Sequence, residues 1–241
     1  MATDTEYKYE ISAFALKIIA ILTMTCNHIA NVFGESLPMG VRFPLYAIGG
    51  LTFPIMAFLI VEGYHRTSNL QKYMQRLLLF GLLSLFPFFW TLGESLNVLF
   101  TLLLGLVCLS LRDRMKNKPM FWVCFTGIVF STVFCDWSLI GVPLIFAYGT
   151  VKGEKRRIIL PAAAATAFGL LLIATMSLFF ERDSILILMD CAFSLAGLVV
   201  IPLLLSYHGK RGYSPPELRY LFYVYYPAHL LVITGIKWLV I

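Results

Sequence analysis

Two imidazoles set in apolar sequence are the residues of this 241-residue chain best suited to chemistry. His28 closes the run LKIIAILTMTCNH, and His229 lies within YYPAHLLVI. Imidazole titrates near neutrality and can accept a proton from an attacking amine or hydroxyl. An ionisable group inside a membrane segment is costly, so its default reading is functional. Either histidine can also serve as a hydrogen-bonding link between helices. Lys17, Ile21, Met24 and His28 fall at i, i+4, i+7 and i+11, which puts them on one helical face. At 1.5 Å per residue, Lys17 and His28 stand about 16 Å apart along that face, a spacing that suits the two ends of a long acyl donor. A snorkelling lysine and a satisfied interior histidine account for the same pattern without a ligand.

Other polar residues offer supporting roles, each with a structural alternative. Asn97 can donate an amide N–H to a developing oxyanion, or cap a helix start. Asp136, beside the interfacial Trp137, orients an amine or a histidine if it folds inward, and needs no function if it is exposed. Asp190, within ILILMDCAFSL, requires a partner or a proton, with Arg182 or a histidine as the options. Lys17 and Glu62 are expected at similar depth, as an ion pair or as part of a phosphate site. The basic connections, Arg76 among them, would draw a polyanionic donor through their field, or simply set topology. Cys26, Cys108, Cys124, Cys135 and Cys191 show no paired spacing, so neither a disulfide framework nor a metal site is expected. A thiol carrier role for Cys26 is disfavoured, because membrane cysteines are mostly apolar filler. Pro227 would kink the helix beside His229.

The elements that position these groups are helices in a bilayer. The chain is 59% hydrophobic and 13% charged, against about 25% charged for a soluble domain. Mean hydropathy is +0.82. The expected fold is all-α, a polytopic transmembrane helical bundle forming a single integral membrane domain over residues 1–241. About nine spans are predicted, near 14–33, 43–63, 77–93, 96–111, 120–134, 137–151, 158–180, 185–207 and 220–240. Those near 120 and 137 are short for a hydrocarbon core of about 30 Å. Alternate connections carry Arg66, Lys72 and Arg76; Arg112, Arg114, Lys116 and Lys118; Lys152, Lys155, Arg156 and Arg157; and Lys210, Arg211 and Arg219. The intervening ones hold Arg42 and Arg182. By the positive-inside rule the amino terminus is cytoplasmic and the carboxyl terminus faces out. The net charge of +6 is read as topology, and no nucleic-acid partner is expected. The acidic start MATDTEYKYE argues against a removed signal peptide. This topology places His28, Asn97, Asp136, Asp190 and His229 towards the outer side, with Lys17 and Glu62 near the cytoplasmic ends.

The ordered stretches LKIIAILTMTCNH, IGGLTFPIMAFLIVEGY leading to KYMQRLLLF, NVLFTLLLG, DWSLIGVPLIF and YYPAHLLVI resemble the TraX family of conjugative pilin acetylases. The resemblance covers most of the chain and implies a bacterial cytoplasmic-membrane acetyltransferase. Acetyl-CoA would be the donor, membrane lipid the surroundings, and an exported peptide or small molecule the acceptor. Carried over, His28 matches the family's general base, Asn97 its asparagine motif and His229 its carboxyl-terminal histidine. Asn27 and Asp136 are expected to position substrate, and Lys17 and Arg76 to hold the CoA. Two positions depart from the pattern: Asn27 stands where the family has Asp, and Gly49-Gly50 where it has Gly-Arg. An acid and a base are thus both absent, which is coherent if they pair. A transporter built on midplane histidines and proline-broken helices, or a non-catalytic assembly factor of a conjugative apparatus, are the competing classes.

Overall fold

Five of the helices begin at a residue whose side-chain oxygen accepts a free backbone N–H of the first turn. Ser12 caps Ala15, Asn69 caps Lys72, Asn97 caps Leu99, Asn117 caps Met120 and Asp183 caps Ile185. The computed structural model describes residues 11–93, 95–213 and 215–240. The acidic stretch 1–10 and the side chain of Arg219 lie outside the described residues.

Among these residues the chain is helical, with α1 (Ala13–Phe33), α2 (Met39–Ile48), α3 (Thr52–Arg66), α4 (Leu70–Leu83), α5 (Leu85–Leu92), α6 (Val98–Arg114), α7 (Lys118–Ser131), α8 (Ser138–Thr150), α9 (Arg156–Phe179), α10 (Ser184–Leu205) and α11 (Pro216–Val240). Among the described residues, four stretches are long and apolar enough to cross a membrane: Ala13–Ser36, Met39–Arg66, Arg156–Phe179 and Ser184–Leu205. The pair α4 and α5, bent by 48°, makes a fifth if it acts as one span. Large apolar side chains such as Phe86, Phe89, Trp122, Leu178 and Leu239 face outward, while Ser84, Asn97 and Thr101 are fully buried. This arrangement belongs to a protein whose solvent is lipid.

Two expected spans differ in shape from a simple helix. The second is interrupted by a 3-10 turn at Gly49–Leu51. A Cβ on Gly50 would stand 1.9 Å from the Phe193 carbonyl oxygen, so α10 closes on this break only because the side chain is missing. The third begins earlier than expected, at Leu70, and bends at Ser84, whose hydroxyl bonds back to the Phe80 carbonyl at 2.6 Å.

The basic connections gather at one end of the bundle. Glu62 on α3 accepts from Arg66 at 2.8 Å and from Arg157 on α9. Arg66 also donates to the Gly209 carbonyl at 2.7 Å, and the Tyr64 hydroxyl donates to Asp113 at 2.7 Å. The start of α1 is pinned to the α10–α11 connection by Ile11 N–H to Ser206 O and Ala13 N–H to Lys210 O, both 2.9 Å. From there α1 and α11 run in the same direction, as Lys17 meets Phe222 and His28 meets His229.

Candidate functional site

The face of α1 that carries Lys17 and His28 is laid against α11. Lys17 sits over the Phe222 ring, Thr25 bonds to the Tyr225 hydroxyl at 2.7 Å, and His28 Nδ1 lies 2.8 Å from His229 Nε2. Both imidazoles are buried, at 7% and 6% exposure. Their ring centres are 5.0 Å apart with 12° between planes, which places them nearly edge to edge in a common plane.

The proton positions follow from the neighbours. His229 Nδ1 lies 2.9 Å from the Tyr225 carbonyl oxygen, which can only accept. His229 therefore carries its hydrogen on Nδ1 and offers a lone pair at Nε2. His28 then donates its Nδ1–H to that lone pair, and its own Nε2 is left as an acceptor. Among the described residues no hydrogen bond engages His28 Nε2. The backbone carbonyl thus fixes the first tautomer and the first fixes the second, an orienting relay of the kind that holds a general base in register. Tyr225 stacks on His229 with ring centres 4.9 Å apart, which locks the second ring further.

Tyr226 lies beside both imidazoles, and sequence reasoning passed it over. It is 4% exposed, its ring lies 5.7 Å from that of His229 and 6.4 Å from that of His28, and its hydroxyl is buried towards the Val98 backbone N–H of the first turn of α6. The available signal was its place three residues before His229, one helical turn away on the same face.

Asp136 lies within electrostatic reach of the Tyr226 hydroxyl. Its backbone is tied to the start of α6, with Asp136 N–H to Leu96 O at 2.7 Å and the Thr101 hydroxyl donating to its carbonyl. Its enclosure pushes the carboxyl up to about 6, offset in part by the Trp137 N–H. Trp137 holds a left-handed backbone, φ 63°, and stacks on Phe53 at 4.6 Å. A non-glycine residue in that region is strained, and here the stacking retains it.

Asn97 is fully buried, yet its side chain is already engaged. Its oxygen caps Leu99 at 3.1 Å and its amide donates to the Gly81 carbonyl at 2.8 Å. The geometry therefore gives it the capping role between α4 and α6, with one amide hydrogen left. Asn27 is likewise committed, donating to the Tyr46 carbonyl at 3.0 Å and accepting from Asn31 at 3.0 Å. Gly49 packs directly on it, since a Cβ there would lie 2.4 Å from Asn27 Cβ. An aspartate at position 27 could not make the donation to Tyr46, so the asparagine is fitted to the α2–α3 break.

Lys17 and Arg76 converge on the first turns of α11 from two sides. Lys17 lies 5.3 Å from the Phe222 ring centre, and Arg76 packs on Tyr73, 5.6 Å from that ring centre, with Tyr223 nearby. Glu62, the expected partner of Lys17, is instead held by Arg66 and Arg157. Asp190 takes Arg182, at 2.6 Å, with the Tyr46 hydroxyl at 2.8 Å. Among the described residues no group of three His, Cys, Asp or Glu is arranged for a metal ion.

The family described as TraX protein matches residues 12–237. The chain belongs to the TraX family. A curated relative, the probable fimbrial assembly protein FimC, serogroup H1, of Dichelobacter nodosus, is 33% identical over 249 residues, covering 95% of this chain and 96% of that protein. No solved structure matches. Within this TraX-family chain, the paired His28 and His229 fall in two of the stretches that carry the resemblance, near its beginning and its end.

Proposed function

We propose that this TraX-family chain is an acyltransferase of the bacterial cytoplasmic membrane, moving an acetyl group from acetyl-CoA to an amine or hydroxyl on the outer side. The observation that carries the reading is the relay from the Tyr225 carbonyl through His229 to His28. It leaves Nε2 of His28 as a base of fixed tautomer. A bare helix-linking histidine pair would not need the Tyr225 stacking that fixes the second ring.

In this reading the helices α1 to α11 provide nine spans, the broken α2–α3 and bent α4–α5 counting once each. The amino terminus is cytoplasmic and the carboxyl terminus external. The basic end then faces acetyl-CoA, with Lys17 and Arg76 beside the phosphates and the thioester reaching towards His28. An acceptor amine attacks the thioester carbonyl, forming the C–N bond as His28 Nε2 takes its proton. The C–S bond breaks, and the CoA thiolate leaves with a proton returned through His28. The Tyr226 hydroxyl is suited to the developing oxyanion, since Asn97 is occupied by its cap. Asp136 positions the amine. An acceptor of pilin-like peptide class fits both the family and the fimbrial role in the relative's name.

Purified protein in nanodiscs should release CoA from acetyl-CoA when a peptide with a free amino terminus is present, and His28→Gln should abolish it. Absence of acceptor-dependent release would overturn the reading. The relative's assembly name favours a second one, a non-catalytic assembly factor. It predicts that His28→Gln leaves surface assembly intact in the producing cell.

A further inference from the structure

On the side of the α2–α3 break facing α10 lies a second polar cluster with one charge too many. Tyr46 on α2 donates to Asp190 Oδ1 at 2.8 Å, and Arg182 donates to Asp190 Oδ2 at 2.6 Å. Arg42 stands one turn before Tyr46 on the same face of α2. Both guanidinium groups act electrostatically on the Tyr46 hydroxyl. Arg182 takes the Asp190 carboxylate, and Arg42 is left beside Tyr46. The Nε of Arg42 is buried and has no hydrogen-bond partner, and among the described residues Arg42 makes no ion pair. A guanidinium offers a planar fork that matches a carboxylate or phosphate in two-point contact. A buried donor left without an acceptor is costly, unless an acceptor arrives from elsewhere.

The cluster is coupled to the histidine pair. The Tyr46 carbonyl accepts from Asn27, the residue before His28. Arg42 lies about 6 Å further along α2 than Tyr46, by the helical rise. An extended peptide covers that distance in about two residues. Asp190 is set about 9 Å along α10 from Ser184, by the same rise, and its side chain is 25% exposed.

We propose that Arg42, with Arg182 and Tyr46, forms a subsite for a carboxylate on the acceptor, carried a few residues from the group that is acylated. The proposal rests on the acyltransferase reading for its acceptor, and on the Arg42 cluster for its chemistry. It makes the acceptor an acidic peptide segment.

The test compares two decapeptides in fluorescence anisotropy with the full chain in phosphatidylcholine nanodiscs. Both have a free amino terminus and a carboxyl-terminal dye; one carries a single Asp at its third position, and its twin carries Asn there. The Asp peptide should bind about tenfold more tightly, and the difference should shrink as salt rises. Arg42→Gln should erase the difference, Arg42→Lys should keep part of it, and His28→Gln should leave it unchanged. Equal affinity for the two peptides in the unaltered protein overturns the proposal without recourse to any variant. So does a preference that survives in Arg42→Gln, or one that vanishes when phosphatidylglycerol is added, which would make a lipid headgroup the occupant. A preference without CoA release from acetyl-CoA refutes acyl transfer and leaves the subsite standing. CoA release with no preference refutes the subsite alone.

Discussion

The two ends of the bundle handle polar groups in opposite ways. At the basic end Glu62 is saturated: Arg66, Arg157 and Tyr207 all reach it, and its side chain is 12% exposed. The cluster ties α3, α9 and the α10–α11 connection together, although the Tyr148 hydroxyl, packed near it on Phe58, is buried without a hydrogen-bond partner. At the opposite end His28 and His229 are buried as deeply, yet one imidazole nitrogen and one guanidinium nitrogen lack partners within the described protein. Paired charges build a clamp at the first end, and the open imidazole nitrogen at the second is available to a ligand. Charge alone does not distinguish the two, since the more highly charged end is the structural one.

Four substitutions test this contrast, beginning with the greatest expected effect. His28→Gln removes the base and should lower acceptor-dependent CoA release by about 10²-fold or more, measured by thiol titration. His229→Gln breaks the relay one step back and should cost about 10-fold or more in the same assay, with melting temperature nearly unchanged. Glu62→Gln acts at the other end and should reverse the pattern. It should lower stability by about 2 kcal/mol in a detergent unfolding titration, while specific activity of the folded fraction stays within twofold. If Glu62→Gln instead abolishes turnover of folded protein, the contrast between clamp and site fails. Tyr226→Phe is the subtlest. Removing the hydroxyl should change unfolding stability by about 1 kcal/mol at most, while turnover falls. A larger loss of stability in that variant would mean the contact towards Val98 serves the fold.

Periodicity made α1 legible: the face carrying Lys17 and His28 is the one that meets α11. Alternation of basic connections likewise anticipated that Arg66, Arg157 and the segment near Lys210 gather at one end. Matching depth of two histidines pointed towards a pair, though not towards a shared hydrogen bond. The rest depends on contacts that no local pattern encodes. The Gly49–Leu51 break reads as ordinary helix until Asn27 and Phe193 are seen pressed against it. Asn97 looked equally able to cap and to donate to substrate, and the Gly81 carbonyl, sixteen positions away, decided for the cap. Asp190 found its salt partner in Arg182, but Tyr46, its second partner, is 144 positions distant. Tyr226 carried only its spacing from His229 as a signal, because a buried tyrosine is ordinary until its ring is found beside both imidazoles.

The pairing of α1 with α11 also dictates when the histidine pair can form. His28 and His229 are separated by 201 positions of chain. At translation rates of about 5–20 residues per second, that interval is roughly 10–40 s of synthesis. During this time α1 is already in the bilayer with its imidazole unoriented, free to adopt either tautomer. A product truncated before α11 would keep most of the helices and every basic connection up to α9, yet lack the ring that aligns His28. The orientation of His28 is therefore set only once α11 has been made.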